Sequence, residues 1–358
     1  MAVYIATYLL ITVAFFFRIR FKASTRKLIH IFVLLYLAVF IGLRHEVGSD
    51  WGSYLYHFDR MSTYFHDLPH ELLAWDPGYV LLEFLSKKLG LGIYGVNFFC
   101  AVIFLSGFYK LLRTLNIRMR DALMVAYPYL IMVVANGYTR QSCALGLTML
   151  ALASYLDRKI SRSVGFFIIS LFFHKSALFF GITYLKLPNR ISRWKSLAVF
   201  VFLFFAAVVF FLIFQNHYAN LYQYYFKERM NSSGALIRIM INLVATVTLF
   251  VFRNRWRGNW EDFEIWKWYG IITCIILLAS LYTRATTIGD RLLLYLYSLQ
   301  ISVFPRIEKL LATKPYKVSY KVLLAGAYWG VLLVWLLFAD HREDWIPYNN
   351  LLLQMLEN

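Results

Sequence analysis

Charge is what this sequence has least of: 16% of its residues are Asp, Glu, Lys or Arg, while 60% are hydrophobic. Soluble domains carry about 25% charged residues, so this chain cannot enclose its apolar side chains in one water-facing fold. Apolar runs recur along its whole length, which places it among membrane proteins. Cysteine is scarce too. Cys100, Cys143 and Cys274 sit inside apolar runs at spacings that fit neither a disulfide framework nor a zinc site, so packing is their expected role. Acids are rarer than bases, 19 against 37, for a net charge of +18. That excess invites a nucleic-acid partner, but no soluble module carries an aromatic-interleaved basic patch, and that class is excluded. The opening run AVYIATYLLITVAFFF lacks a preceding basic residue and a following small-residue cleavage site. It is expected to be the first span rather than a removable signal.

The apolar runs place spans at 2–17, 27–43, 92–109, 121–136, 141–156, 195–214, 236–252, 267–283, 289–304 and 321–339. The expected fold is therefore all-α and polytopic, one bundle of about 10–12 transmembrane helices over residues 1–358. The linker RIRFKASTRK after the first span carries five bases, and Lys and Arg accumulate on the cytoplasmic side. Alternating from an outward N-terminus puts 110–120, 158–162, 186–195, 253–267 and 306–321 on that same side. Together these linkers hold 25 of the 37 bases. The basic excess is thus a topology signal, and it isolates a few arginines that topology does not explain.

The map holds only if VGFFIISLFFHKSALFFGITYL (164–185) enters and leaves on one side, as two half-helices meeting at His174-Lys175-Ser176. Irregular backbone at membrane depth is tolerated where it lines a wet cavity or is buried in protein, so His174 is a candidate for chemistry, the alternative being a histidine bonded between helices. Outer loop 44–91 is rich in acids and aromatics, and its part from Gly78 to Lys88 is apolar but too short to span. Asp76-Pro77 is a good N-cap and first-turn pair, which predicts a re-entrant or interfacial helix there. A second outer loop at 215–235 is Tyr-rich, suited either to sugar stacking or to a membrane-interface belt, and the C-terminal DHREDWIPYNNLLLQ reads the same way.

Arg44, Arg140, Arg284 and Arg291 all fall near the outer boundary. Each alone can snorkel to headgroups. Together they would form a diphosphate site, because a guanidinium fork binds phosphate oxygens bidentately. Asp290 stands beside Arg291 and is expected to orient it.

The ordered set RHEVGSDWGSYLYHF, DPGYVLLEFL, YTRQSCALGL, FFHKSALFF and the late GDR resembles the EpsG group of Wzy-type polysaccharide polymerases, from about residue 28 to the end. The residues carrying the likeness are Arg44, Gly48, Asp50, Trp51 and Tyr54, then Asp76, Gly78 and Tyr79, then Arg140 and Gln141, then Phe173, His174, Ser176 and Ala177. Trp51 stands where the pattern leads one to expect Tyr. The resemblance implies a metal-independent, cofactor-free glycosyltransferase in the bacterial cytoplasmic membrane. Its site would face outward, with polyprenyl-diphosphate-linked repeat units as donor and acceptor. A repeat-unit flippase and a chain-length regulator are the implied partners.

Such a reaction needs positive charge for the departing diphosphate and a base for the acceptor hydroxyl. The four arginines fill the first role. Glu46 and His174 lead for the second, with Asp50 and Asp76 behind them; Asp50, Tyr54, Asp76, Tyr79, Gln141 and Asp290 complete the expected substrate contacts. Two rival readings are a flippase for an anionic lipid and a membrane-bound acyltransferase with an intramembrane histidine base.

Overall fold

A computed structural model describes residues 1–17, 21–186, 234–283 and 286–357. Among these residues the fold is helical with no strand, apart from an isolated antiparallel bridge between Arg44 and Asn350. The chain divides into two compact units, Met1–Lys175 with Leu311–Asn358, and Ser176–Leu310.

The first unit contains α1 (Ala2–Phe16), α2 (Ala23–Gly42), α3 (Trp51–Arg60), α4 (Leu68–Ala74), α5 (Pro77–Lys88), α6 (Gly92–Thr114), α7 (Met119–Ala126), α8 (Thr139–Leu156) and α9 (Ile160–Leu171). α6 packs against α2, α5 and α8, and α8 packs against α9. The second unit opens with a 3-10 segment, Lys175–Lys186, which begins at the last residue of the first. It continues with α10 (Ala235–Val251), α11 (Arg253–Asn259), α12 (Phe263–Thr283), α13 (Thr286–Leu293) and α14 (Ser298–Leu310). α15 (Lys314–Phe338) and the short α16 (Leu351–Glu357) return to the first unit.

Four helices, α2, α6, α12 and α15, are each long and apolar enough to cross a membrane, and α10 with α11 makes a fifth if that pair, bent by 76°, is one span. α2 presents Leu28, Phe32 and Leu35 outward, as a lipid-facing surface requires. The chain is thus an all-α polytopic membrane protein. The span predicted at 141–156 is one continuous helix, α8, less apolar than those four, and others are shorter or interrupted: 289–304, for instance, is carried by α13, a 3-10 turn at Leu294–Leu296, and α14. The span predicted at 195–214 lies outside the described residues, as does the loop at 215–235 apart from its last two residues.

One interruption has a legible cause. Pro128 lacks the N–H that would bond to Met124 O, and from Tyr127 to Ala135 the helix widens to π geometry. The freed Met124 carbonyl accepts from the Tyr8 hydroxyl at 2.8 Å. Farther along the same segment, Met132 O accepts from Trp345 Nε1 at 3.1 Å and from Asn136 Nδ2 at 3.1 Å. These bonds tie α1 and the C-terminal segment to the irregular helix. The second unit is stitched by buried amides: Asn242 Nδ2 donates to Thr273 Oγ1 at 2.9 Å, and Gln300 Nε2 donates to Asn242 Oδ1 at 3.1 Å. Such bonds hold helices together where hydrocarbon surroundings offer little hydrophobic drive.

The first unit has two chemically distinct ends. At one, His45 N donates to Asn349 O, Gly48 N to Asp344 O, and Gly137 lies under the Trp345 ring. At the other, Lys110 pairs with Asp157 at 3.0 Å, Arg120 Nη1 donates to Phe17 O, and buried Lys321 donates to Phe15 O at the C-terminus of α1. The first end gathers loop 44–91, the turn before α8 and the C-terminal segment; the second gathers the base-rich linkers 110–120 and 158–162 of this unit, with Lys321.

Candidate functional site

α3 and α5 form a parallel two-helix step at the first end. On α3, Tyr54 and His57 are three apart and share a face; on α5, Tyr79 and Glu83 are four apart and share one. The two faces meet turn by turn. Tyr54 and Tyr79 rings lie 5.6 Å apart, His57 Nδ1 lies 2.8 Å from Glu83 Oε2, and Lys87 Nζ then donates to Phe58 O, Asp59 O and Met61 O. Lys87 therefore closes the C-terminus of α3, where a cation complements the helix dipole.

Arg140 sits in the first turn of α8, where a helix disfavours a cation. Asp76 compensates: Arg140 Nη1 donates to Asp76 Oδ2 at 2.9 Å, with the carboxylate buried. The predicted role of Asp76 as a side-chain cap for α5 is not made; an ion pair with a guanidinium outcompetes a neutral N–H for a buried carboxylate. The Arg140 guanidinium also lies 5.5 Å above the Tyr54 ring. Two donors in this cluster, Arg140 Nε and the Tyr79 hydroxyl, are buried without a hydrogen-bond partner. Burial raises the pKa of both phenols, so Tyr54 and Tyr79 stay neutral donors, and burial also raises that of Glu83 against the lowering effect of His57.

The break at His174 borders this cluster. α9 ends at Leu171, Phe172 O accepts from Gly78 N at 2.8 Å, and a Cβ on Gly78 would press into the Phe173 ring. The absent side chain lets the break dock onto the start of α5. Lys175 lies within electrostatic reach of Asp76 and Arg140. Gln141 is buried next to Arg140. Asp50 stands at the N-cap position of α3, within electrostatic reach of Tyr54.

Other expected members lie apart from it. Arg44 is fully buried, with Nε on Val47 O, Nη1 on Ile41 O and Nη2 on Thr139 Oγ1 at 2.6 Å. It holds the start of the outer loop against α8. Glu46 has φ +51 and a side chain 71% exposed, with His45 as its neighbour at 3.8 Å. In the second unit, Asp290 does not serve Arg291 as the sequence suggested. Its two oxygens take Nε and Nη2 of Arg238 at 2.5 and 2.7 Å, while Arg291 is exposed. Arg238 lies one turn into α10, facing α13, which explains the preference. Arg284 lies outside the described residues.

His57, Glu83 and Arg238 were not anticipated. In the sequence Glu83 stands four residues after Tyr79 and His57 three after Tyr54, so each shares a helix face with a residue of the family pattern, but nothing local pairs the two. Among the described residues, no group of three or more His, Cys, Asp or Glu is gathered as metal ligands.

No curated protein and no solved structure matches the chain. The EpsG family, however, matches over residues 27–350, which takes in every element of the cluster around Arg140. The chain thus belongs to the EpsG family, and membership implies a membrane protein of polysaccharide biosynthesis with a polymerase type of function.

Proposed function

We propose that this protein is a glycosyltransferase that joins polyprenyl-diphosphate-linked oligosaccharide repeat units at the outer face of the bacterial cytoplasmic membrane. The observation that carries the reading is the pair of buried, unpartnered donors, Arg140 Nε and the Tyr79 hydroxyl, beside a guanidinium already oriented by Asp76. Buried donors are nearly always satisfied, so two together fit an oxygen-rich ligand such as a diphosphate or a sugar.

In the reaction a hydroxyl at the non-reducing end of the acceptor attacks the anomeric carbon of the donor. The bond from that carbon to the diphosphate oxygen breaks, and the polyprenyl diphosphate leaves with the electron pair. Arg140 stabilises the charge that develops there, and direct in-line attack inverts the anomeric configuration. Tyr54 and Tyr79 offer their hydroxyls to a sugar, and His174, in the break docked on α5, positions an acceptor hydroxyl. Arg44 keeps α8 and the outer loop in register. A flippase that delivers repeat units and a chain-length regulator are the partners this reading implies.

Incubating the purified protein in lipid with a lipid-linked repeat unit tests the reading. A ladder of longer glycans is expected. Transbilayer movement of the substrate without elongation would instead make the protein a transporter and overturn the proposal.

A further inference from the structure

We propose that His57 and Glu83 are the proton-accepting pair of this site, with His57 as the catalytic base and Glu83 as its positioning residue; the proposal rests on the polymerase reading above. Glu83 is completely buried in α5, and neither of its carboxylate oxygens has a hydrogen-bond partner of good geometry. Its Oε2 lies 2.8 Å from His57 Nδ1, and the imidazole is held edge-on by the Trp75 ring, 4.5 Å away. A carboxylate sealed from water is costly, and packing alone would have been met by Leu or Gln at this position. A carboxylate this close to Nδ1 favours the proton on that nitrogen and leaves Nε2 as the one that takes up a proton.

The pair also stands where a base is needed. Tyr54 precedes His57 by one turn and lies under Arg140, and Tyr79 precedes Glu83 by one turn and carries one of the unpartnered hydroxyls. As the acceptor oxygen bonds to the anomeric carbon, its proton passes to His57 Nε2. The imidazolium that forms is stabilised by Glu83. The proton is released to water after the polyprenyl diphosphate departs, so atoms and charge balance with no further reactant.

The test compares wild type, His57→Gln and Glu83→Gln in the intact protein, as initial ladder rates per folded molecule. His57→Gln is expected to lower kcat by about 10²–10⁴-fold while the KM for the lipid donor stays within a few-fold, the range of general-base catalysis. Glu83→Gln removes the negative charge from Nδ1, lowers the basicity of the imidazole and moves the acid limb of the rate profile to lower pH. The other groups facing the pair, Arg140, Glu71 and Tyr79, are unchanged in that variant. A pair that only supports packing would lower the thermal midpoint and leave the pH profile in place, and that result overturns the assignment. Undiminished kcat in His57→Gln overturns it equally. If His57→Gln does not fold, the Glu83→Gln profile decides alone. Failure of the wild type to make any ladder overturns the polymerase reading as well, which separates the two outcomes.

Discussion

Two arginines of identical chemistry do different work at the same end of the first unit. Arg44 spends three nitrogens on Val47 O, Ile41 O and Thr139 Oγ1 and is shut off from solvent, so it fastens the loop. Arg140 has one nitrogen on Asp76 and one buried without a partner, and its side chain is 32% exposed. Removing Arg140 outright strands the buried Asp76 carboxylate, at a cost of about 3–5 kcal/mol, so Arg140→Ala confounds folding with function. Arg140→Lys separates them. The ammonium keeps the charge opposite Asp76 but cannot reproduce the planar fork or the Nε donor. Arg140→Lys is expected to remain folded, with a thermal midpoint near wild type, and to form the glycan ladder about 10–100-fold more slowly, equivalent to about 1.4–2.8 kcal/mol of lost transition-state stabilisation. Wild-type turnover in this variant would mean that the fork is not used in the reaction.

At the scale of elements, the site depends on how closely α6 and α8 approach. A Cβ on Gly107 would fall on the Gly146 carbonyl, and one on Gly146 would fall on the backbone of Phe104. Backbone-to-backbone contact of this kind is how small residues hold membrane helices together. Gly146→Ala is expected to force the helices apart and to lower stability by about 1–3 kcal/mol, read as a drop in thermal midpoint. Because α8 carries Arg140 in its first turn, the ladder rate should fall as well. An unchanged midpoint would show that the two helices have slack at this contact.

Element positions were largely legible in the sequence, because hydropathy and proline set them. The helix expected from Gly78 to Lys88 runs Pro77–Lys88, and the break expected at His174-Lys175-Ser176 lies between Leu171 and Lys175. What sequence periodicity could not supply was the pairing of side chains across helices. Loop 44–91 offers seven acids, and nothing local distinguishes Glu83, sealed against His57, from Glu46, which stays in solvent. Asp76 likewise reads as a cap until α8 brings Arg140 to it. Asp290 reads as a partner of its sequence neighbour Arg291, although a helix turns adjacent residues about 100° apart and Arg238 reaches it from another helix.

For the whole molecule, the division of charge between the two ends of the first unit makes orientation testable. α2 ends at Gly42, just before Arg44, α8 begins at Thr139, just before Arg140, and the C-terminal segment after α15 takes the N–H groups of His45 and Gly48 on Asn349 O and Asp344 O. The opposite ends of these helices adjoin Lys22, Arg158 and Lys314, in the base-rich linkers that the positive-inside rule assigns to the cytoplasm. Moving several such bases across the bilayer together is costly, at about 2.5–3.5 kcal/mol each by insertion scales, so the segregation predicts one orientation. Single cysteines placed at His66 and His341, exposed residues of the first end, are expected to react with an impermeant thiol reagent added outside. Cysteines at Asn116 and Lys159 should react only after the membrane is opened. Cys100 and Cys143 are buried and will not interfere, whereas Cys274, partly exposed, is first replaced by Ala. Labelling at Asn116 from outside, with protection at His66, would invert the map. The cluster around Arg140 would then face the cytoplasm, where it could not meet lipid-linked units already delivered to the outer face, and the polymerase reading would fall with it.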